Sequence, residues 1–361
     1  MSFAQRNNCH FTFKEILEEN KKIASRDLAI GIVFLLQTVV GIMGNFSLLY
    51  HYFFLKHTER KLRSIDLIMR HLFMANSLLI LSKGPSQTMV AFGLKQLFSE
   101  FSCSLNLYVL RVGRAMSICT VCLLSVFQTI TISPMNSCWK TFKIKAPKYI
   151  GFSVSLCWLL QMGINFIFPL HSLQVSGKSE IRNITKKRQL PFCTVVDFST
   201  ATVSVYIALV VSPEVCFIAL TMWTSVYMIF ALYRHKEHVK HIHSTNIPSR
   251  SPESKASKSI FLLVSTFVSF YIISSIFHIF AALSKNLSWW LVNISGLISV
   301  LFPTISPFLV MSQDSSLSMF WSAWIKNRKI PSSYKKYIVV HFDSIFLFCA
   351  PHLTPRGNTE V

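Results

Sequence analysis

The sequence predicts an all-α membrane protein, a bundle of seven transmembrane helices with its N-terminus outside and its C-terminus in the cytoplasm. Of 361 residues, 52% are hydrophobic and only 14% are charged, whereas about a quarter of the residues in a soluble domain are charged. The mean hydropathy is +0.46, and phenylalanine alone occurs 31 times. A net charge of +21 could indicate a nucleic-acid-binding protein, but the charges lie mostly between apolar stretches, so no nucleic-acid partner is expected.

Seven apolar stretches approach the length of a membrane-crossing helix, which needs about 20 residues at a rise of about 1.5 Å each. They are residues 28–55, 65–81, 105–133, 149–170, 202–233, 259–283 and 289–311. Backbone groups in lipid must bond within their own segment, so each stretch is predicted as a helix. We therefore divide the chain into an extracellular N-terminal segment (1–27), a seven-helix domain (28–311) and a cytoplasmic tail (312–361).

Lysine and arginine are sorted between the two sides of the predicted bundle. The first, third and fifth gaps and the tail hold 20 of the 36, the N-terminal segment and the other gaps hold 12, and four lie within or at the edge of spans. Cytoplasmic loops are enriched in positive charge. The side with 20 is therefore expected to face the cytoplasm, where membrane lipids with anionic headgroups attract it.

Three of the nine cysteines, Cys9, Cys103 and Cys193, fall on the predicted outer side, where disulfides persist. A bond between Cys103, just before the third span, and Cys193, in the loop before the fifth, would hold that loop over the bundle. We expect this pair, with Cys9 left over. Asn183 begins the sequon Asn183-Ile184-Thr185 in the same loop and is a candidate glycosylation site.

The topology and the expected disulfide resemble those of a G-protein-coupled receptor, and the motifs narrow the resemblance. The third span has no Asp-Arg-Tyr, and the seventh has no Asn-Pro-x-x-Tyr. The segments that carry the resemblance include Gly44-Asn45-Phe46-Ser47-Leu48-Leu49-Tyr50, Asp66-Leu67-Ile68, Ala75-Asn76-Ser77, Lys145-Ala146-Pro147-Lys148-Tyr149 and Phe302-Pro303-Thr304-Ile305-Ser306-Pro307-Phe308. Over about residues 25 to 324, the chain resembles the vomeronasal type 1 receptors.

This resemblance implies a pheromone receptor. Members of the family bind small volatile or steroid-like cues and couple to inhibitory-class heterotrimeric G proteins in vomeronasal neurons. A multi-pass protein of the plasma membrane is therefore expected.

An ion pair between the third and fifth spans follows from the residues themselves. Arg111 and Arg114 are three residues apart and share a helical face. Arg114 lies roughly 15 Å below the outer end of its span, and Glu214 lies roughly 18 Å below the outer end of its own. Because their depths match, we predict a pair between Arg114 and Glu214; the alternative is that each arginine meets backbone carbonyls or water in a polar cavity.

The ligand pocket is expected between the outer halves of spans three, five, six and seven, since such pockets lie between helices and carry few polar anchors. The candidate residues by depth are Leu107, Leu110, Arg111, Arg114, Ser204, Tyr206, His278 and Asn293.

The inner face is expected to meet the G protein. The candidate contacts are Phe127, Gln128, Pro134, Arg234 and His235. A dense run of histidines follows at His235, His238, His241 and His243, and no metal site is predicted from it. We find no catalytic motif, so neither an enzyme nor a cofactor or metal is predicted.

Two other classes of membrane protein are alternatives. A small-molecule transporter would typically show inverted repeats and paired broken helices, which this sequence lacks. A bitter-taste-type receptor also lacks Asp-Arg-Tyr, but the strings in spans three and seven favour the vomeronasal family.

Overall fold

The apolar stretches fold as helices, as the need to pair backbone groups within lipid requires. The computed structural model describes residues 3–55, 64–94, 100–133, 137–166, 187–189, 194–196, 207–242, 252–283 and 289–313. The described residues form the helices α1 Phe3–Tyr50, α2 Ser64–Ala91, α3 Glu100–Ile132, α4 Ser137–Asn165, α5 Ser212–Ile242, α6 Pro252–Leu283 and α7 Trp289–Gln313. Each predicted span thus has one helix, and a π-helical turn, His51–Leu55, extends α1.

Several helices run beyond the predicted spans. Helix α1 begins at Phe3, far before the apolar stretch, and α2 continues through Pro85 to Ala91, ten residues past residue 81. The polar residues near Pro85 do not end α2, and the hydroxyls of Ser82 and Thr88 donate to carbonyls of their own helix. Hydropathy thus marks the part of a helix suited to lipid and not its ends.

Five helices of the described part of the chain are long and apolar enough to cross a membrane. These segments are Ala24–Phe53, Ser64–Ala91, Phe101–Ile132, Ser212–Ala231 and Asn293–Ser312. Helix α6 contributes a shorter apolar segment, Leu262–Phe277. Helix α4 is not among the five; its described apolar part carries Lys148, Gln161 and Asn165.

The core lies where α2 and α3 meet their neighbours. Leu72 and Phe73 of α2 pack with Ile118, Val121 and Leu124 of α3, and all five are fully or almost fully buried. The outer surface is apolar as well: Trp223 of α5 is 76% exposed, an arrangement that suits contact with lipid rather than water.

Prolines in α7 create a polar layer in the middle of the bundle. Pro307 has no N–H, so the carbonyl of Pro303 lacks its partner within the helix. The Nδ2 atom of Asn45 in α1 donates to that carbonyl at 2.9 Å. Nearby, Nδ2 of Asn76 donates to Oγ of Ser306 at 3.0 Å, and Oγ of Ser117 donates to Oδ1 of Asn76 at 2.9 Å. Helices α1, α2, α3 and α7 are therefore joined at this level.

A small β-hairpin departs from the all-α prediction. Strand β1, Lys187–Gln189, pairs antiparallel with β2, Thr194–Val196, and Gln189 lies opposite Thr194. The hairpin belongs to the connection between α4 and α5, where sequence reasoning predicted only a loop.

Candidate functional site

Three side chains from different helices meet in the half of the bundle predicted to face outward. The Nε atom of Arg114 lies 3.7 Å from Oε2 of Glu214, and these side chains are 30% and 16% exposed. The hydroxyl of Tyr271 donates to Oε2 of Glu214 at 3.4 Å. The guanidinium carbon of Arg114 lies 5.1 Å from the centroid of the Tyr271 ring, within the range of a cation–π contact. We call Arg114, Glu214 and Tyr271 the outer cluster.

Local backbone geometry places Glu214 in this cluster. Glu214 lies in the first turn of α5, directly after Pro213 and a π-helical turn, Ile207–Val211. A proline clashes with the carbonyl four residues before it, and a wider π-helical turn accommodates that clash. The extra residue in the π-helical turn rotates the side chains that precede it around the helix axis relative to Glu214.

The outer cluster joins helices that would otherwise touch mainly through apolar side chains. Charges inside a membrane protein are costly and usually mark a functional site. Here the carboxylate balances one guanidinium charge, while the tyrosine adds a hydrogen bond and an aromatic face. The arrangement couples α3, α5 and α6 through groups that another polar molecule can compete for.

Sequence reasoning missed Tyr271. By residue count it lies about 18 Å from the end of α6, the same depth as Glu214 in its own span. The depth argument that paired Arg114 with Glu214 would therefore also have selected it, but an aromatic residue in a clean apolar span gave no separate signal.

The structure describes four of the other candidate ligand residues. Leu107, Leu110 and Arg111 are half-buried on α3, and Asn293 is half-buried on α7. Ser204 and Tyr206 lie outside the described residues. His278 belongs to α6, but its side chain is likewise outside the described part.

A lysine missed by the sequence reasoning lies close to the outer cluster. Lys83 of α2 donates a hydrogen bond to Oγ of Ser299 in α7. Its signal is present in the sequence, because Lys83 is one of four cationic residues within or at the edge of spans. Hydropathy alone, however, identifies Lys83 only as an interruption of the second apolar span.

At the opposite end of α3, polar contacts join α3 to α5. Oγ1 of Thr129 donates to the carbonyl of Thr224 at 3.4 Å, and the hydroxyls of Ser133 and Tyr227 are 3.2 Å apart. Among the candidate G-protein contacts, Phe127 is half-buried, Gln128 is only 3% exposed and Arg234 is exposed. Pro134 and the side chain of His235 lie outside the described residues.

The cysteines with described side chains fall into two groups. Cys103 is buried and disulfide-bonded, and its partner is not among the described residues. Cys193 and Asn183 also lie outside the described residues, so that pairing and that glycan stay predictions. Cys119, Cys122, Cys157 and Cys216 are free thiols in helices. No group of three metal-ligating side chains occurs in the described part of the chain.

Comparisons with known proteins agree with the resemblance. The profile of the "Vomeronasal organ pheromone receptor family" matches residues 28–323. Human vomeronasal type-1 receptor 2 is 48% identical over 304 residues, which cover 84% of this chain and 76% of that protein. Human vomeronasal type-1 receptor 4 is 46% identical over 303 residues, covering 84% of this chain and 99% of that protein.

A more distant relative comes from zebrafish, Danio rerio. Its olfactory receptor class A-like protein 1 is 27% identical over 289 residues, covering 80% of this chain and 90% of that protein. The resemblance is thus confirmed over nearly the whole helical part, and the chain belongs to the vomeronasal type-1 receptor family of membrane-spanning, G-protein-coupled pheromone receptors.

Proposed function

We propose that this chain is a receptor of the plasma membrane that binds a small volatile or steroid-like organic cue in the outer half of the bundle and activates an inhibitory-class heterotrimeric G protein. The observation that carries the proposal is the outer cluster, in which α3, α5 and α6 share one set of polar contacts. The N-terminus lies outside, and a Cys103–Cys193 disulfide and a glycan at Asn183 belong to the same outer face.

A ligand acts through this cluster by changing the contacts that hold three helices together. Any molecule shifts an equilibrium between two states only by its differential affinity for them. A ligand with a polar group near Arg114 competes with Glu214 or Tyr271, so it favours an arrangement of α3, α5 and α6 different from the one in its absence. Further contacts in the proposed pocket come from Leu107, Leu110, Arg111 and Asn293, together with Ser204, Tyr206 and His278.

The signal reaches the G protein along helices that the cluster joins. Helices α3 and α5 meet again at their inner ends, where Thr129 contacts Thr224 and Ser133 contacts Tyr227. Gln128 is almost fully buried there, so it reaches a partner only when the inner ends of the helices separate. The proposed contact surface is completed by Phe127, Pro134, Arg234 and His235.

The experiment that tests this function is reconstitution of the full chain with an inhibitory-class heterotrimeric G protein. We expect nucleotide exchange on the G protein to rise when cues from a panel of volatile and steroid-like compounds are added. The same vesicles without the chain serve as the control. Transport of a cue across the vesicle membrane without nucleotide exchange would instead identify a transporter and refute the proposal.

A further inference from the structure

A second polar cluster lies between α2 and α7, and its members are Lys83, Gln87 and Ser299. The ammonium of Lys83 donates to Oγ of Ser299. Gln87 lies one helical turn further along α2, on the same face as Lys83. We call these three residues the α2–α7 site; Lys83 and Gln87 are absent from the candidate ligand residues chosen by depth.

The charge of Lys83 is not balanced by the residues around it. Among the described residues, no carboxylate lies within 4 Å of its ammonium, and the partner it does have is a neutral hydroxyl. A cation inside a membrane protein without a neighbouring anion is costly. One serine oxygen also satisfies only one of the three N–H donors.

Gln87 lies on the same face of α2 as Lys83 and also approaches α7. Its side chain is 6% exposed, and its carboxamide makes no hydrogen bond to any described residue. A Cβ atom built on Gly296 of α7 would lie 3.6 Å from Cδ of Gln87, so the carboxamide faces α7 at a position without a side chain. This carboxamide and the Lys83 ammonium thus both lie on the side of α2 that approaches α7.

We infer that the α2–α7 site binds the carboxylate of a small organic acid. The Lys83 ammonium supplies the opposite charge, and the NH₂ group of Gln87 donates a hydrogen bond to the same anionic head. The apolar body of the acid packs on the adjacent cluster of Leu79, Ile80 and Val300. This inference rests on the proposed receptor function, because it names the chemical class of the cue.

Matched pairs of cues test the inference in the reconstituted receptor. The acids are octanoic, benzoic and cyclohexanecarboxylic acid, and each is compared with its primary alcohol. We expect at least one acid to raise nucleotide exchange at a concentration about 30-fold or more below that of its alcohol, the range for a buried charge pair. Lys83→Gln should remove this preference, whereas Lys145→Gln, which removes an exposed lysine of α4, should keep it.

A binding readout separates the failure of this inference from the failure of receptor function. Thermal unfolding of the purified full chain in detergent is followed with octanoate or with octan-1-ol. A rise in midpoint with octanoate alone, lost in Lys83→Gln and reduced in Gln87→Leu, supports the site even if no nucleotide exchange occurs. If Lys83→Gln does not fold, Lys83→Arg replaces it, and it should retain the octanoate effect while altering its concentration dependence.

Three results would overturn the inference. The first is an equal response to each acid and its alcohol, while alcohols or steroids activate the receptor normally. The second is no octanoate-dependent rise in the unfolding midpoint. The third is stabilisation by sodium chloride equal to that by octanoate at the same concentration, because this would assign the site to an inorganic anion.

Discussion

At the scale of single residues, Arg114 has partners of two kinds. Glu214 supplies a full opposite charge at 3.7 Å, and Tyr271 supplies an aromatic face at 5.1 Å and also a hydroxyl that binds Glu214. Charge attraction weakens slowly with distance, whereas the hydrogen bond from Tyr271 to Glu214, at 3.4 Å, is already near its limit. The hydroxyl contact is therefore expected to break first when α6 moves.

Exchange of charge within the outer cluster gives a direct prediction. Arg114→Glu or Glu214→Arg alone places like charges next to one another. We expect each change to lower the free energy of unfolding by about 1–3 kcal/mol. This loss is smaller than that expected for a fully buried pair, because the side chain of Arg114 is 30% exposed. The double exchange should recover most of the loss. Thermal unfolding of the purified variants measures this.

The control for that exchange is Tyr271→Phe, which keeps the ring over Arg114 and removes only the weak hydroxyl contact. It should cost less than about 1 kcal/mol. If the double exchange is no more stable than either single variant, Arg114 and Glu214 do not act as a pair.

A second residue-scale prediction concerns Asn45 and the proline in α7. Asn45→Ala removes the amide that donates to the carbonyl of Pro303 at 2.9 Å; Pro307 leaves this carbonyl without a backbone donor, and the Ser306 hydroxyl reaches it only at 3.5 Å. We expect a loss of about 1–2 kcal/mol, the value of a buried hydrogen bond. Thr120→Val is the matched control, since the hydroxyl of Thr120 donates only to carbonyls of its own helix; an equal loss in both variants would contradict this account.

At the scale of elements, the approach of α2 to α3 depends on a glycine. A Cβ atom on Gly113 would lie 3.0 Å from the backbone nitrogen of Leu79 and 3.1 Å from the backbone oxygen of Ala75. Backbone atoms cannot turn aside as the end of a side chain can. The two helices would have to separate to accept any larger residue.

Gly113→Ala should therefore lower the free energy of unfolding by about 1–3 kcal/mol, as overpacking of a core does. Gly163→Ala in α4 is the control, because a Cβ atom there would meet nothing within 4 Å. That variant should be neutral or more stable by up to about 1 kcal/mol, since alanine favours helix. Unfolding in detergent compares the two, and a neutral Gly113→Ala would show that the contact between α2 and α3 yields easily.

The sequence predicted the helices well and their ends poorly. An apolar stretch of the sequence falls on each of the seven helices, although only five of the described helices carry a segment long and apolar enough to cross a membrane. Hydropathy did not reveal that α1 begins at Phe3 or that α2 continues past Pro85. The similar depths of Arg114 and Glu214 in their spans predicted that the two residues pair, because helices have a constant rise per residue. Which face of α6 presents Tyr271, and that Lys83 meets Ser299, depend on helix rotation and packing, which hydropathy does not encode.

At the scale of the whole molecule, three sets of polar contacts between helices are spread along the length of α3. The outer cluster links α3, α5 and α6. The polar layer around Asn45 and Asn76 links α1, α2, α3 and α7, and the contacts of Thr129 and Ser133 join α3 to α5 again. Helix α3 takes part at every level. A ligand-driven change at the outer level can thus reach the inner surface through α3 without passing through the lipid-facing helix surfaces.

The proposed receptor function requires that the chain has one defined orientation in the membrane, and the distribution of lysine and arginine predicts that orientation. With 20 positive residues on one side and 12 on the other, the chain should insert with its N-terminus outside. In intact cells, an antibody should detect an N-terminal epitope tag without permeabilisation and a C-terminal tag only after it. Asn183→Gln should also abolish a mobility shift that a glycosidase produces in the parent chain, while Asn293→Gln, which alters a sequon within α7, should leave that shift unchanged. Detection of the C-terminal tag in intact cells would mean that the basic loops face outward and that the proposed G-protein surface is on the wrong side.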